Sequence, residues 1–78
     1  MQYQEAYPVG TRVRIQDLDA LQSFRDSWTL HHPLSDTMLE HAGASAVVAE
    51  VGFYHGGDVL YQLAGIPGTW HEACLAAL

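Results

Sequence analysis

The side chains best suited to chemistry gather in the last third of this 78-residue chain. They combine imidazole, carboxyl, amide, phenol and indole groups at the end of one apolar segment, in the turn that follows it and in the next two apolar segments. Groups of these kinds form hydrogen bonds and ring contacts with ligands. We therefore expect a binding surface drawn from seven residues: Tyr54, His55, Tyr61, Gln62, Trp70, His71 and Glu72.

His71 is the residue whose type comes nearest to catalysis. An imidazole beside a carboxylate or an amide, here Glu72 or Gln62, can act as a general base or a metal ligand. Adjacent residues of a strand point to opposite faces, however, so His71 and Glu72 cannot act together without a bulge. The favoured interpretation is an ordinary strand histidine, and no catalytic residue is assigned.

Metal binding would need at least three ligands converging at about 2.0–2.3 Å. The candidate donors are His55, His71, Glu72 and Cys74. Their spacing contains neither C-x-x-C nor H-x-x-x-H, and the neighbouring side chains of His31 and His32 are expected to diverge. We predict no metal site and no cofactor.

Cys74 is the only cysteine of the chain. A reactive thiol needs a positive environment, whereas Cys74 follows Glu72 and lies among alanines and leucines. It is interpreted as a packing residue. A single cysteine forms no internal disulfide, which favours a reducing cytoplasm.

The charge balance excludes two classes of partner. The chain has three arginines, no lysine and nine acidic residues, for a net charge of −6. Nucleic acids and anionic membranes attract basic proteins, so neither is expected. No apolar run approaches the ~20 residues that span a bilayer, and 1–5 does not look like a signal peptide. We expect one soluble cytoplasmic domain over 1–78.

The first half of the chain contains one strand signal and two helix signals. Apolar and polar residues alternate over Val9–Ile15, as in a half-buried strand. Asp17–Trp28 has apolar residues at helical spacing, although a long irregular connection is an equal alternative. Leu34–Gly43 predicts a short helix, with Ser35 at the N-cap and the glycine at C′.

The second half predicts a β-meander. Ala46–Tyr54, Val59–Ala64 and Thr69–Glu72 read as strands, joined by glycine-containing turns over 55–58 and 65–68. Ala73–Leu78 is predicted to close the chain as a helical turn. Two hairpins in series after a separate strand predict a mainly β fold, a five-stranded SH3-like barrel with a long first connection that contains one or two short helices.

The strand register follows from the assumed length of the second turn. A four-residue turn over 65–68 pairs Leu63 with Trp70 and Gln62 with His71. Trp70 would then face the core and His71 the solvent. A slip of one residue would reverse these assignments.

The arrangement resembles small SH3-like barrels of bacterial accessory and enzyme subunits. Gly10-Thr11-Arg12-Val13-Arg14, Gly52-Phe53-Tyr54 and Pro67-Gly68 are similar in placement to segments of the type II plasmid dihydrofolate reductases, which assemble as tetramers around a pore. The opening G-x-R-V-R stretch also resembles the barrel domain of nitrile hydratase β subunits. The reductase family has a Val-Gln-Ile-Tyr stretch and a lysine at its pore. This chain has Trp70-His71-Glu72-Ala73 and no lysine, so the resemblance implies architecture and not reductase activity.

Apolar residues on both faces of Val59–Ala64 suggest that something covers the outer face. The Asp17–Trp28 helix or a second copy of the chain would serve. We therefore predict a non-catalytic binding or interaction module that self-associates and holds a protein, peptide or small molecule. The alternative is a small enzyme whose site forms at a symmetric interface where His71 residues converge.

Overall fold

A computed structural model describes residues 5–29, 31–54 and 57–78, so the predicted site residue His55 lies outside the described residues. Five antiparallel strands form one open sheet in the order β4-β3-β2-β1-β5. The strands are β1 Arg12–Ile15, β2 Ser45–Tyr54, β3 Asp58–Leu63, β4 Ile66–His71 and β5 Leu75–Ala77. Helices α1 Leu18–Ser27 and α2 Asp36–Leu39 lie between β1 and β2, and a 3-10 turn, Glu72–Cys74, lies between β4 and β5. The prediction of a mainly β fold with one or two short helices in a long first connection is confirmed, and the connection contains two.

Strand β1 shows the predicted alternation. Val13 and Ile15 are fully buried, and Arg12 and Arg14 are exposed. The strand begins three residues later than predicted because the chain turns before it. In that turn the Thr11 N–H donates to the Pro8 carbonyl at 3.0 Å.

Helix α1 confirms the helical alternative for the segment after β1. Asp17 caps it by accepting a hydrogen bond from the Ala20 N–H at 2.9 Å, which satisfies a donor that the first turn leaves free. Leu21 enters the core, whereas Leu18 is 45% exposed. Phe24 and Trp28, farther along the same helical face, pack toward the end of β4.

Helix α2 is shorter than the predicted Leu34–Gly43 helix, although Ser35 and Gly43 both have the conformations predicted for them. Ser35 accepts a hydrogen bond from the Met38 N–H at 3.3 Å, as an N-cap does. Gly43 has a φ of +80°, as expected for a C′ residue, but turns separate it from the helix. Its N–H donates to the carbonyls of Ile15 and Gln16, so the turn is anchored on the end of β1.

The register predicted for the β3–β4 hairpin is wrong. Leu63 pairs with Ile66, so the loop contains two residues and Gly65 takes a φ of +75°. A register shift follows, after which Tyr61 pairs with Trp70 and Leu60 with His71. β4 is an edge strand, where Pro67 is tolerated, and this allows the strand to include the predicted turn.

The new register corrects the placement of His71. The predicted partner was Gln62 on the solvent side, but His71 lies opposite Leu60 and is only 4% exposed. Trp70 faces the core beside Tyr61, as predicted, and both side chains are fully buried. Two consecutive buried residues are possible because β4 ends at His71 and a second layer of side chains covers its outer face.

The predicted helical turn over Ala73–Leu78 is wrong in its second part. The 3-10 turn ends at Cys74, and β5 then pairs with β1 through Leu75 opposite Ile15 and Ala77 opposite Val13. The alanines of this segment have low strand propensity, so pairing with β1 and burial of Leu75 override the local preference.

The core lies between the inner face of the sheet and the two helices. Its members are Val13, Ile15, Leu21, Leu34, Met38, Val48, Tyr61, Leu63, Trp70, Cys74 and Leu75. Among the described residues, no helix has both the length and the apolar character needed to cross a membrane.

Candidate binding site

Six aromatic or imidazole rings meet on the outer face of the sheet at the ends of β3 and β4. They come from α1, the segment after it, β2 and β4, and we call them the aromatic–histidine cluster. Its members are Phe24, Trp28, His31, His32, Tyr54 and His71. Each ring centroid lies within 3.9–6.4 Å of at least one other. These separations include the range in which aromatic rings attract one another beyond simple burial.

Helix α1 supplies one wall of the cluster. Phe24 and Trp28 stand one turn apart, and their rings stack with centroids 5.3 Å apart and planes at 16°. The Trp28 backbone N–H donates to the Phe24 carbonyl at 2.9 Å and ends the helix. The Trp28 indole N–H donates to the His31 carbonyl at 2.6 Å, so the helix end also fixes the next segment.

His71 occupies the centre of the cluster. Its ring centroid lies 4.7 Å from Trp28, 5.0 Å from Phe24 and 5.5 Å from His31. Its Nε2 is 2.8 Å from the His32 carbonyl oxygen. A carbonyl only accepts, so this nitrogen carries a hydrogen and Nδ1 holds the lone pair of the neutral ring.

Burial lowers the pKa of His71 below its ordinary value of 6.5. The hydrogen bond to the His32 carbonyl opposes that decrease, as does the charge of Asp58. The charges of His31 and His32 reinforce it. The central ring of the cluster is therefore neutral at and above neutral pH.

His31 and His32 do not diverge, which corrects the expectation from their adjacency. Their Nδ1 atoms lie 2.8 Å apart and share one hydrogen. The chain turns at His32, whose φ is +52°, so the two rings meet edge to face. At the other side of His31, Nε2 lies 2.8 Å from Asp58 Oδ2. A carboxylate and two imidazoles thus form one hydrogen-bonded chain.

Tyr54 completes the cluster from the end of β2. Its ring stacks on His31 with centroids 3.9 Å apart and planes at 27°, and it meets His32 edge to face at 5.2 Å. The predicted site residue Tyr54 therefore lies beside His71, although 17 residues separate them in sequence.

Tyr61 and Glu72 form a contact that holds the N-terminal segment. The Tyr61 hydroxyl donates to Glu72 Oε2 at 2.5 Å and accepts from the N–H groups of Ala6 and Tyr7 at 3.2 and 3.3 Å. The Ala6 N–H also donates to Glu72 Oε2 at 3.0 Å. Burial, followed by the Glu72 contact, raises the pKa of the Tyr61 phenol above its ordinary value.

Two open grooves flank the cluster. The first, which we call the α1 groove, has a volume of about 280 Å³ and contains Phe24, Trp28, Asp58, His71 and Glu72 in its lining. The second, the β3 groove, has a volume of about 220 Å³. Its lining combines apolar and polar groups: His32, Glu50, Val51, Gly52, Leu60, Tyr61, Gln62 and Thr69.

The structure brings together only part of the predicted set. Tyr54 and His71 belong to the cluster, Gln62 lines the β3 groove and Glu72 lines the α1 groove. Trp70 lies in the core and contributes to neither groove.

Sequence reasoning did not assign His31, His32 and Asp58 to this site. Their adjacency to Pro33 and to the β2–β3 turn suggested polar loops, and no periodic pattern links the two segments. The contact between His31 and Asp58 depends on tertiary structure alone.

Cys74 is a packing residue, as its apolar neighbours indicated. It is buried in the core, and burial raises the pKa of its thiol to about 11. Within the described part of the chain, no three histidine, cysteine or acidic side chains are placed to hold a metal ion.

No protein-family model, no curated protein and no solved structure matches this chain. Its functional interpretation therefore depends on the geometry of the cluster and the two grooves.

Proposed function

We propose that this chain is a small non-catalytic binding module whose ligand site is the aromatic–histidine cluster with its two grooves. One observation carries the proposal, the convergence of six rings from four separate segments on one face of the sheet. Ligand sites typically combine aromatic walls with a few fixed polar groups, and this face has both.

The polar groups of the cluster support binding because they are fixed in place. His71 is held by the His32 carbonyl and His31 by Asp58, each at 2.8 Å. A cluster that served packing alone would not need three imidazoles, since burying polar groups has a desolvation cost that apolar residues avoid. Pre-positioned polar groups lower the entropy lost when a ligand binds.

A closed SH3-like barrel is the architecture that we propose for the scaffold. β2 supports it, because its first half pairs with β1 and its second half with β3, with a register shift between Val48 and Glu50. Such a shift bends a strand and lets one sheet curl over itself. β5 also returns beside β1, so the last strand pairs with the first one.

A ligand screen with residue-level mapping tests the proposed function. Metabolites and short peptides are screened by thermal shift, since a ligand of the native state raises the melting temperature. At about 100 times its Kd a ligand contributes about 2.7 kcal/mol, which is an increase of at least ~10 °C for a domain of this size. Each positive compound is then mapped by ¹H–¹⁵N NMR.

At least one compound should shift the Trp28 indole and the Tyr54 and His71 amides in a saturable manner. Phe24→Leu and Tyr54→Leu should weaken the binding of that compound. Val9→Ala, at an exposed residue that does not belong to the cluster, should leave its binding unchanged. Ligands that map only to surfaces outside the cluster would contradict the assignment.

A second candidate function is an enzyme, and the Asp58–His31–His32 chain is the observation that favours it. A carboxylate that orients an imidazole is a common acid–base arrangement. The sequence suggested an enzyme whose site forms where the His71 residues of several copies meet at a symmetric interface. Because His71 is buried, such a site would require this side chain to become exposed. The two candidates differ in the fate of the ligand, because an enzyme converts a compound found by the screen and a binding module returns it unchanged. Ligand NMR over several hours distinguishes them.

A further inference from the structure

The α1 groove combines aromatic walls with two carboxylates. Phe24, Trp28 and His71 contact one another with centroids 4.7–5.3 Å apart, and all three line the groove. Asp58 and Glu72 line it as well. A groove of this chemistry attracts a positive charge through its carboxylates and through the electron-rich faces of its rings.

The carboxylates already have fixed positions. Asp58 Oδ2 receives a hydrogen bond from His31, and Glu72 Oε2 receives hydrogen bonds from Tyr61 and Ala6. Among the described residues, the second oxygen of each carboxylate makes no hydrogen bond or ion pair. Both groups are thus held by one oxygen and retain the other for a donor.

Little positive charge competes with a cation in this groove. No lysine or arginine is among its described lining residues, and the central imidazole is uncharged at neutral pH because of its burial. Arg25, the basic residue of α1, forms an ion pair outside the groove, with its Nη1 atom 2.6 Å from Asp36 Oδ1. The chain as a whole carries a net charge of −6, which adds to the attraction.

We infer that the α1 groove binds a small organic cation, an alkylammonium compound whose charged head contacts Asp58 and Glu72 and whose apolar body lies against Trp28. This inference rests on the proposed function and names its ligand class. A volume of about 280 Å³ suits a compound of a few heavy atoms better than a folded partner.

The test compares three probes that share a four-carbon skeleton by ¹H–¹⁵N NMR at about pH 8, where ordinary imidazoles are uncharged. The probes are butylammonium, butanol and butyrate. Butylammonium should shift the Trp28 indole and the amides of Gly57, Val59 and Ala73 in a saturable manner, with a Kd of millimolar order. Butanol and butyrate should leave these signals in place. Increasing the salt from about 50 to 300 mM should weaken butylammonium binding.

Three variants assign the contacts. Asp58→Asn and Glu72→Gln keep an oxygen for the His31 and Tyr61 hydrogen bonds but remove the charge, so each should weaken butylammonium about three- to tenfold. Trp28→Leu should weaken it about threefold. Glu40→Gln, an exposed acidic residue at the end of α2, is the matched control and should change nothing.

The outcomes separate this inference from the proposed function. Equal binding of butanol and butylammonium overturns the cation inference and leaves an apolar ligand site at the cluster. Failure of butylammonium to shift any groove signal of the folded wild-type protein also overturns it. The proposed function fails as well only if the broad screen yields no ligand that maps to the cluster. A lysine-containing peptide that binds while free butylammonium does not would overturn the choice of a small molecule.

Discussion

At the scale of single residues, His71 shows how burial changes the meaning of a side chain. The residue pattern indicated a solvent-facing imidazole, whereas the structure encloses it under Trp28, His31 and His32. Its exposed fraction of 4% favours the neutral ring, because burial penalises the charged imidazolium more than the hydrogen bond to the His32 carbonyl stabilises it. The stability of the fold should therefore depend on pH.

We expect the protein to lose stability in mild acid. The pKa of His71 is lowered in the native state, so below 6.5 the unfolded chain binds more protons than the native one. The free energy of unfolding should decrease as the pH falls through 6.5, by up to about 1.4 kcal/mol per pH unit, until the native imidazole also becomes protonated. Urea unfolding between about pH 8 and pH 5 measures the slope.

His71→Gln isolates this contribution, because its amide N–H can still donate to the His32 carbonyl. The variant should show a flatter pH dependence than the wild type. His41→Gln, in the turn after α2, should keep the wild-type slope. The groups that face His71 and also carry charge are His31, His32 and Asp58, and they remain in both variants. Parallel slopes for wild type and His71→Gln would contradict the prediction.

At the scale of elements, helix α2 depends on one glycine of β4. Gly68 has a φ of +97°, and a Cβ at this position would lie 2.8 Å from Met38 Sδ and 2.9 Å from Met38 Cγ. Met38 is buried, so its side chain has little space to move. The close approach of β4 to α2 therefore requires a residue without a side chain.

Gly68→Ala should destabilise the protein more than Gly10→Ala. Both glycines have a positive φ, +97° and +92°, so both variants incur a similar backbone strain of about 1 kcal/mol. A Cβ at Gly68 would clash with the Met38 side chain, whereas a Cβ at Gly10 would meet nothing within 4 Å. The clash should add about 1–3 kcal/mol, measured by urea unfolding. Equal losses for the two variants would mean that Met38 moves aside at no cost.

Local signals predicted some elements well and others only in part. The cap at Ser35 forms as expected, and Asp17 caps α1 in the same way, because capping depends on residues three apart in sequence. The β3–β4 turn was assigned the wrong length because Gly65 and Gly68 both take positive φ, and sequence alone does not show which of them closes the loop. β5 was missed because its stability comes from β1, far away in the chain.

In the candidate site, too, some residues could be identified from the sequence and others could not. Tyr54 and His71 were identified from residue type, and the structure places both in the cluster. Their partner Asp58 was assigned to a turn, and the meeting of His31 with His32 depends on a positive φ that histidine rarely adopts. Contacts between distant segments require the register of the sheet, which the residue pattern did not determine.

At the scale of the whole molecule, apolar content exceeds what the core contains. Hydrophobic residues make up 49% of the chain, and several large ones remain exposed: Val9, Leu18, Val47, Phe53, Tyr54 and Leu78. Rings from α1 cover His71 at the end of β4, which lies opposite Leu60 of β3. The outward side of β1 and β2 includes exposed Val47 and is a surface where a second copy would bury apolar area.

We predict self-association through this outward side, centred on Val47. Val47 is 37% exposed, and the neighbouring Val9 is 63% exposed, since the Gly10 N–H donates to the Val48 carbonyl at 2.9 Å and brings the two segments together. A net charge of −6 on each copy opposes association at low salt, so screening should strengthen an apolar contact.

Light scattering at micromolar concentrations, in about 50 and 500 mM salt, should show a mass above that of one chain, and this mass should increase with salt. Val47→Glu should lower that mass, while Leu18→Glu, at an exposed position on helix α1 and not on the sheet, should not. A single-chain mass under every condition would contradict self-association, and a mass that decreases with salt would show that ion pairs rather than apolar burial hold the copies together.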